Sequence, residues 1–566
     1  MCSRYRFSLS RTGKRVFGLW AGLIPLAACA QKEVSALFYG RPSYTRADTL
    51  LGSLNPYRSC YDVVHYDLHL RLSPARAYVE GEVTCTFRWL GGADTLQIDL
   101  LESFKVRGVW IEGQSLPFQR VRGTRAIWVP LSRVKAQLQK GQLYKWKVAY
   151  AGHLRLAPRP PWDGGFVRDK TPSGEPWLGF ACQGIGASLW WPLKDHLSDK
   201  PDSAQLTFCL PPPFRVIANG IYQRHFPLKK DTCFTYRVSH PINTYNITFY
   251  AAPAYLIHED TFHSASGRTL PLRFAVLPVH ASKIPYLAQH ARRVLRAMEH
   301  FFGPFPHQQD GYGLVESPYY GMEHQSAIAY GNRFMPDPQW GFDYIILHES
   351  GHEWWGNHVS ASDNADLWIQ EGFCTYAEAL YLEYYQGAEA AQRYLNQQRV
   401  LIQNRLTIQG PPGVNADQTH NTDIYYKMAW VLHTLRSRLA NDSLWFACLR
   451  AIQQHFAYQA ITGSELIRFM SAFLGEDLEP FFRAYLNYLR PPLISFKVAR
   501  EEGQAYLVAR WITEEPNFAG PMEFLVDGQR VRVFLTQTPT KVPLPAEAQV
   551  VIPDRNRYLV IPVAEP

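Results

Sequence analysis

The sequence predicts a multidomain α+β protein: an N-terminal antiparallel β domain, a mostly helical middle domain and a small C-terminal β-sandwich. Three observations predict it. The chain's 566 residues are more than one hydrophobic core usually organises. Period-two alternation of apolar and polar residues fills the first part, then gives way near His280 to the spacing of amphipathic helices. Alternation returns after Pro491-Pro492, a pair that a helix does not run through. With 46% apolar and 19% charged residues and no long low-complexity block, the composition is that of a globular protein. The formal charge of +9 is spread along the chain, so it bears on solubility, and with no nucleic-acid signature present, nucleic acid is not an expected partner.

Residues 1–29 read as a signal peptide of the lipoprotein type. Arg4, Arg6, Arg11, Lys14 and Arg15 precede an apolar stretch, Val16 to Ala28, that is shorter than the roughly 20 residues of a membrane-spanning helix. It closes with Leu26-Ala27-Ala28-Cys29, which resembles the lipobox of bacterial lipoproteins. The expected partner here is a membrane, reached through a lipid on Cys29. The expected location is the cell envelope, in the outer membrane or facing the periplasm. Cleavage after Ala28-Cys29-Ala30, giving a secreted protein, is the alternative, and an uncleaved apolar anchor is a third reading. The lipoprotein reading is preferred because a cysteine beside a cleavage site has little other use.

Residues 30–56 read as a linker. From Tyr61 the runs "YDVVHYDLHLRL" and "VEGEVTCTFRWL" alternate as half-buried strands do, and similar runs recur to about Pro253, which sets a β domain at 57–255. Within it, residues 157–165 ("APRPPWDGG") are too rich in proline and glycine for a central strand and form a plain connection or a lip over a site. Asn246-Ile247-Thr248 is a weak glycosylation match. The stretch "YLAQHARRVLRAMEHFF" opens a helical region, part of a domain at 256–490. The alternating segment at 491–566 has the size of a small sandwich. Apart from Cys2 and Cys29, seven of the nine cysteines run from Cys60 to Cys448 with no CxxC pair, which excludes a cysteine-rich metal module and leaves one or two disulfides possible, their pairing unspecified.

The chemistry concentrates in "HESGHEWW", His348 to Trp355. Residues four apart stack on one helix face, so His348 and His352 present two imidazoles to one point. Zinc accepts neutral imidazole nitrogens and carboxylate oxygens, and a catalytic site uses three protein ligands. Glu349, about 100° round the helix, is placed to take a proton from the metal's water without binding the metal. The third ligand is expected on a following helix. Glu371 in "DLWIQEGF", nineteen positions after His352, meets that need, with Asp363-Asn364 as caps. Ile345, Ile346, Leu347, Trp354 and Trp355 around the motif indicate burial, against a surface set of ion pairs. Glu378, seven residues beyond Glu371 on the same face, is a candidate to orient a ligand histidine through its second nitrogen.

With two histidines, eighteen intervening residues and a glutamate in place, the sequence resembles the gluzincin metallopeptidases of the aminopeptidase N and leukotriene hydrolase family. "YYGMEHQSAI" is similar to that family's exopeptidase motif, usually written GAMEN. The resemblance implies that Gly321, Met322 and Glu323 bind substrate, with Glu323 on the free α-amine. "ACQGIGASLWWPLKDHLSDKPDS" resembles the β-domain segment in which a glutamine, here Gln183, reaches toward the substrate's N-terminus. "IYYKMAWVLHTLR" matches the tyrosine segment, which puts Tyr425 where a hydroxyl stabilises the oxyanion. The resemblance spans roughly residues 57–565. It implies a thermolysin-like catalytic domain, one Zn2+ per chain and peptide substrates with a free N-terminus, cut one residue in.

Three features depart from the family pattern: the glycine of the exopeptidase motif moves one place, to Gly321; His324 stands for the motif's final asparagine; and Met428 stands for the small glycine after the tyrosine-lysine pair. The family's long helical C-terminal domain is expected to be missing, with a more open approach to the site. The alternatives to an aminopeptidase are a zinc endopeptidase, a zinc hydrolase of a non-peptide such as an epoxide, and a non-catalytic lipid-anchored binding protein on the same fold.

Overall fold

The computed structural model describes residues 43–418 and 420–565. The lipobox, Cys29 and the first half of the stretch read as a linker lie outside the described residues. The end of that stretch is structured. Thr45 and Asp48 close a capping box on the helix Arg46–Gly52, and Asn55 caps the turn Pro56–Ser59. The reason is Arg58: fully buried, it needs a counter-charge, and it finds Asp99 at 2.6 Å while also donating to the carbonyls of Leu51 and Ser53.

The β domain is built on an eight-stranded sheet. Alternation does what the sequence pattern requires: along Tyr61–Ser73, Tyr66, Leu68, Leu70 and Leu72 turn into the core while Asp67, His69 and Arg71 turn out. Tyr61–Ser73 pairs antiparallel with Tyr78–Trp89, yet parallel with Ser203–Leu210, so the sheet is not purely antiparallel as expected. A long excursion separates the two parallel strands, and local alternation carries no information about direction. Cys209 and Cys233, direct partners on neighbouring strands, form a disulfide. Asn246 is fully buried, so the weak glycosylation match is not an accessible site.

The next sheet was not legible in the sequence. Five strands, Leu256–His263, Thr269–Val276, Tyr312–Glu316, Ile328–Tyr330 and Gly321–Met322, lie in that order across it, leaving Gly321–Met322 on the edge. The last three are two to five residues long and buried on both faces, so they show no period. Helices follow: Ile284–Phe302 against the sheet, then Tyr344–Gly351, Trp368–Gln386, Ala388–Arg399 and Tyr426–Leu439. The C-terminal part forms a four-stranded and a three-stranded sheet, and its core residues Ile494, Leu507, Phe524 and Leu535 are continuous with those of the helices. From Thr45 onward the chain is one compact unit. Among the described residues no helix is long and apolar enough to cross a membrane.

Candidate active site

Asp343 caps the helix Tyr344–Gly351 by accepting from the Ile346 N–H, and His352 sits at its C-cap with helical backbone angles. The four-residue spacing therefore holds, and the His348 and His352 rings lie 5.0 Å apart. Both Nε2 atoms face one oxygen of Glu371, from the first turn of Trp368–Gln386: His348 Nε2 is 3.5 Å and His352 Nε2 3.4 Å from Glu371 Oε2. Donors bound at about 2.1 Å in a tetrahedral shell stand about 3.4 Å from one another, so the three atoms already have the spacing of a zinc shell.

The second nitrogens fix the tautomers. His352 Nδ1 donates to the Trp355 carbonyl at 2.9 Å, which leaves a lone pair on Nε2. His348 Nδ1 lies 2.7 Å from Glu378 Oε1, and Glu378 in turn accepts from Tyr394 and Gln398. A buried carboxylate that already accepts two hydrogen bonds takes the histidine's proton as a third, so the His348 Nε2 lone pair also faces inward. Two neutral imidazoles and a carboxylate fit zinc.

Glu349 is buried on the neighbouring side of the helix, and burial pushes its carboxyl up to about 7, although a dication at the donor set would pull it down again. Its position depends on Gly321. A Cβ there would lie 2.6 Å from Glu349 Oε1 and 2.8 Å from Ile345 Cδ1. The glycine shift that set this sequence apart from GAMEN therefore has a steric reason: the edge strand passes too close to Glu349 for a side chain. Gly321→Ala is expected to keep zinc but lower kcat by roughly a hundredfold, because an ångström of misplacement at a proton-transfer group costs about that much; steady-state kinetics alongside metal analysis measure both.

Glu323 stands nearby, with an oxygen in a set with Glu349 and His352 whose donor atoms all lie within 4.8 Å of one another. Gln183 Nε2 donates to Glu323 Oε1 at 2.6 Å and to Glu371 Oε1 at 2.9 Å, so the β-domain amide bridges the two carboxylates. Met322 does not line the site with its side chain, which is buried among β-domain core residues. Tyr425 ends the turn before Tyr426–Leu439, half-buried, its ring stacked on His348 at 6.2 Å and its hydroxyl held protonated first by burial and then by the charge of Glu371.

The other two departures are accommodated locally. His324 turns away from the metal donors: Nδ1 lies 2.6 Å from the Tyr250 hydroxyl, and burial pushes the imidazole down to about 3, so it is neutral. The Glu323 carbonyl is held instead by Asn357 Nδ2 at 3.0 Å. Met428 packs against Gly372, where a Cβ would come within 2.2 Å of Met428 Cγ, so the absent side chain at 372 leaves room for the methionine. Loop 157–165 reaches the same region: Trp162 is largely exposed with its ring 6.5 Å from that of Tyr320, next to Gly321. Sequence reading missed Tyr245, which donates to Glu323 Oε1 at 3.1 Å, and Gln370, which donates to Tyr245 at 2.9 Å. Both look like ordinary strand and helix residues in sequence.

Residues 286–485 match the peptidase family M1 domain. That stretch, which carries the metal donors, is similar to the M1 peptidases. Aminopeptidase B of Mus musculus is 26% identical over 326 residues, 50% of this chain and 46% of that protein, so the chain spans about half the length of the curated relative. Two solved structures share the fold. The M1 zinc metallopeptidase of Deinococcus radiodurans has a TM-score of 0.63 at 23% identity, covering 75% of this chain and 94% of that one. Legionella pneumophila aminopeptidase A, solved with aspartic acid, has a TM-score of 0.71 at 16% identity over 90% of this chain and 60% of that one. The donor set of His348, His352 and Glu371 fits zinc, the ion named for the Deinococcus radiodurans structure that shares the fold.

Proposed function

We propose that this protein is a zinc aminopeptidase of the M1 type that removes N-terminal residues from peptides. The observation that carries the reading is Glu323: a buried carboxylate beside the metal donors whose Oε1 takes two donors, leaving Oε2 for an ammonium. A buried negative charge with no cation is costly, and a peptide's free N-terminus supplies one. Pinning that ammonium fixes which carbonyl meets the metal donors, one residue in.

A zinc ion bound by His348, His352 and Glu371 supplies a Lewis acid that lowers the pKa of its water to about 7. Glu349 takes a proton from solvent at the site and returns it to the leaving amine nitrogen. The Tyr425 hydroxyl donates to the carbonyl oxygen as negative charge develops there, a contribution of about 3 kcal/mol for one such donor. Gln183 offers its own carbonyl oxygen as a second acceptor for the ammonium, since its amide nitrogen is held between two carboxylates. A cleft of about 700 Å³ bordered by Tyr320, Trp177, Phe334 and Met335 lies on the side of Tyr320, the residue before Gly321.

A panel of aminoacyl anilides with N-acetylated counterparts, run with and without a chelator, tests the reading. Free-amine substrates are expected to be cleaved, acetylated ones not, and all cleavage to stop when zinc is removed. Cleavage of the acetylated set would make the protein an endopeptidase. No cleavage of any peptide by the zinc-loaded protein would favour a non-peptide substrate or a binding role.

We further propose export with a lipid anchor on Cys29, supported by the basic, apolar and Leu-Ala-Ala-Cys order of the leader. Mass spectrometry of protein made in a bacterial host that processes lipoproteins should find the N-terminal peptide starting at Cys29 and carrying acyl mass. A peptide starting at Gln31 would instead mean ordinary secretion.

A further inference from the structure

Glu323 belongs to the catalytic domain, yet its side chain is held by the β domain. Oε1 accepts from Gln183 and from Tyr245, and Tyr245 is 4% exposed, so water does not compete for its hydroxyl. The direction of the second bond is fixed. Gln370 Oε1 accepts from the Ala361 N–H, which orients the amide so that Nε2 donates to Tyr245. With its oxygen accepting from Gln370, the Tyr245 hydroxyl turns its only proton to Glu323 Oε1. The chain Gln370, Tyr245, Glu323, Gln183, Glu371 thus closes on itself, because Gln370 and Glu371 are consecutive.

The turn that carries Tyr245, Thr244–Asn246, is anchored on both sides. Asn243 Nδ2 donates to the Gly356 carbonyl at 2.6 Å, and Asn246 Nδ2 to Asn357 Oδ1. Asn357 is the residue that holds the Glu323 carbonyl. One short β-domain turn therefore fixes Glu323 through both its backbone and its carboxylate, immediately beside the loop that follows the metal-binding helix.

We propose that Tyr245 is a positioning residue for amine recognition: with Gln370 it holds Glu323 Oε1, so that Oε2 faces the substrate ammonium at a set distance from the metal donors. The inference rests on the aminopeptidase reading and adds to it that the amine's register is set from the β domain. Tyr245 touches neither the scissile bond nor the metal ligands, so its loss acts on how the ground state is held.

The test uses the full-length, zinc-loaded protein with alanyl p-nitroanilide as probe. Tyr245→Phe removes one oxygen. KM is expected to rise about tenfold, the cost of losing one donor to a buried charged acceptor, with kcat changed far less. Zinc content and Tm should stay at wild-type values. The decisive readout is a double-mutant cycle: in a Glu323→Gln background, Tyr245→Phe should change KM less than about twofold, because the negative charge it aims at the ammonium is gone. Gln370→Leu, a second and independent variant, should move KM in the same direction and lose its effect in the same background. Equal, additive effects in both backgrounds would make Tyr245 a merely structural residue and overturn the inference, as would an unchanged KM in both single variants. The aminopeptidase reading fails separately, taking this inference with it, if Glu323→Gln itself leaves KM unchanged.

Discussion

Glu349→Gln is expected to lower kcat by about three orders of magnitude while zinc stays at one ion per chain. The substitution is close to isosteric, so the amide fits under Gly321 where the carboxylate did, and neither imidazole nor Glu371 loses a contact. What disappears is the ability to hold a proton. An amide neither takes one from water nor returns one to a leaving amine, so the loss appears in kcat with KM little changed. Gly321→Ala, by contrast, leaves the carboxylate but shifts it, and should cost less. Metal analysis beside steady-state kinetics decides: a Glu349→Gln protein that keeps zinc and still turns over at a tenth of the wild-type rate would remove Glu349 from proton transfer.

The metal set could be read from the sequence because each of its constraints is local. Four-residue spacing puts His348 and His352 on one face, and the isoleucines and tryptophans around them mark burial. Glu371 was legible from its spacing on an apolar helical segment, although Asp363, expected to cap that helix, instead caps the short turn Asn364–Asp366 before it, and the helix itself starts without a side-chain cap. Glu378 followed from the same helical period as Glu371. What escaped were contacts that the chain path alone creates. Tyr245 and Glu323 are 78 positions apart, Tyr245 and Gln370 are 125 apart, and nothing in "NTYN" distinguishes a donor to a carboxylate from a packed aromatic.

The fold divides the same way. Strands long enough to alternate were visible, whereas the edge strand Gly321–Met322, two residues long, was known only through the motif it carries. The Cys209–Cys233 pairing depends on the register between two strands that happen to be neighbours. Departures from the family motif became intelligible only with coordinates: Met428 fills the space that Gly372 leaves open, and His324 turns from the metal toward Tyr250. Each is explained by a contact to a residue distant in the chain.

Glu323→Gln is expected to lower kcat/KM on free-amine substrates by about two to three orders of magnitude, the cost of leaving a buried ammonium without its counter-charge. The hydrogen-bond network predicts more than lost charge. Gln183 Nε2 and the Tyr245 hydroxyl both donate to the position of Oε1, so the new amide must put its oxygen there and its NH2 group where Oε2 was. A donor then faces the substrate's ammonium. An N-acetylated substrate brings a carbonyl oxygen to the same place, which that NH2 can serve. Selectivity should therefore collapse from both sides, free-amine rates falling while acetylated rates hold or rise. Alanyl p-nitroanilide and its N-acetyl derivative, compared in wild type and variant with zinc content checked, measure the ratio. If the preference for the free amine survives undiminished in Glu323→Gln, then some other group reads the N-terminus, and the cut one residue in needs a different origin.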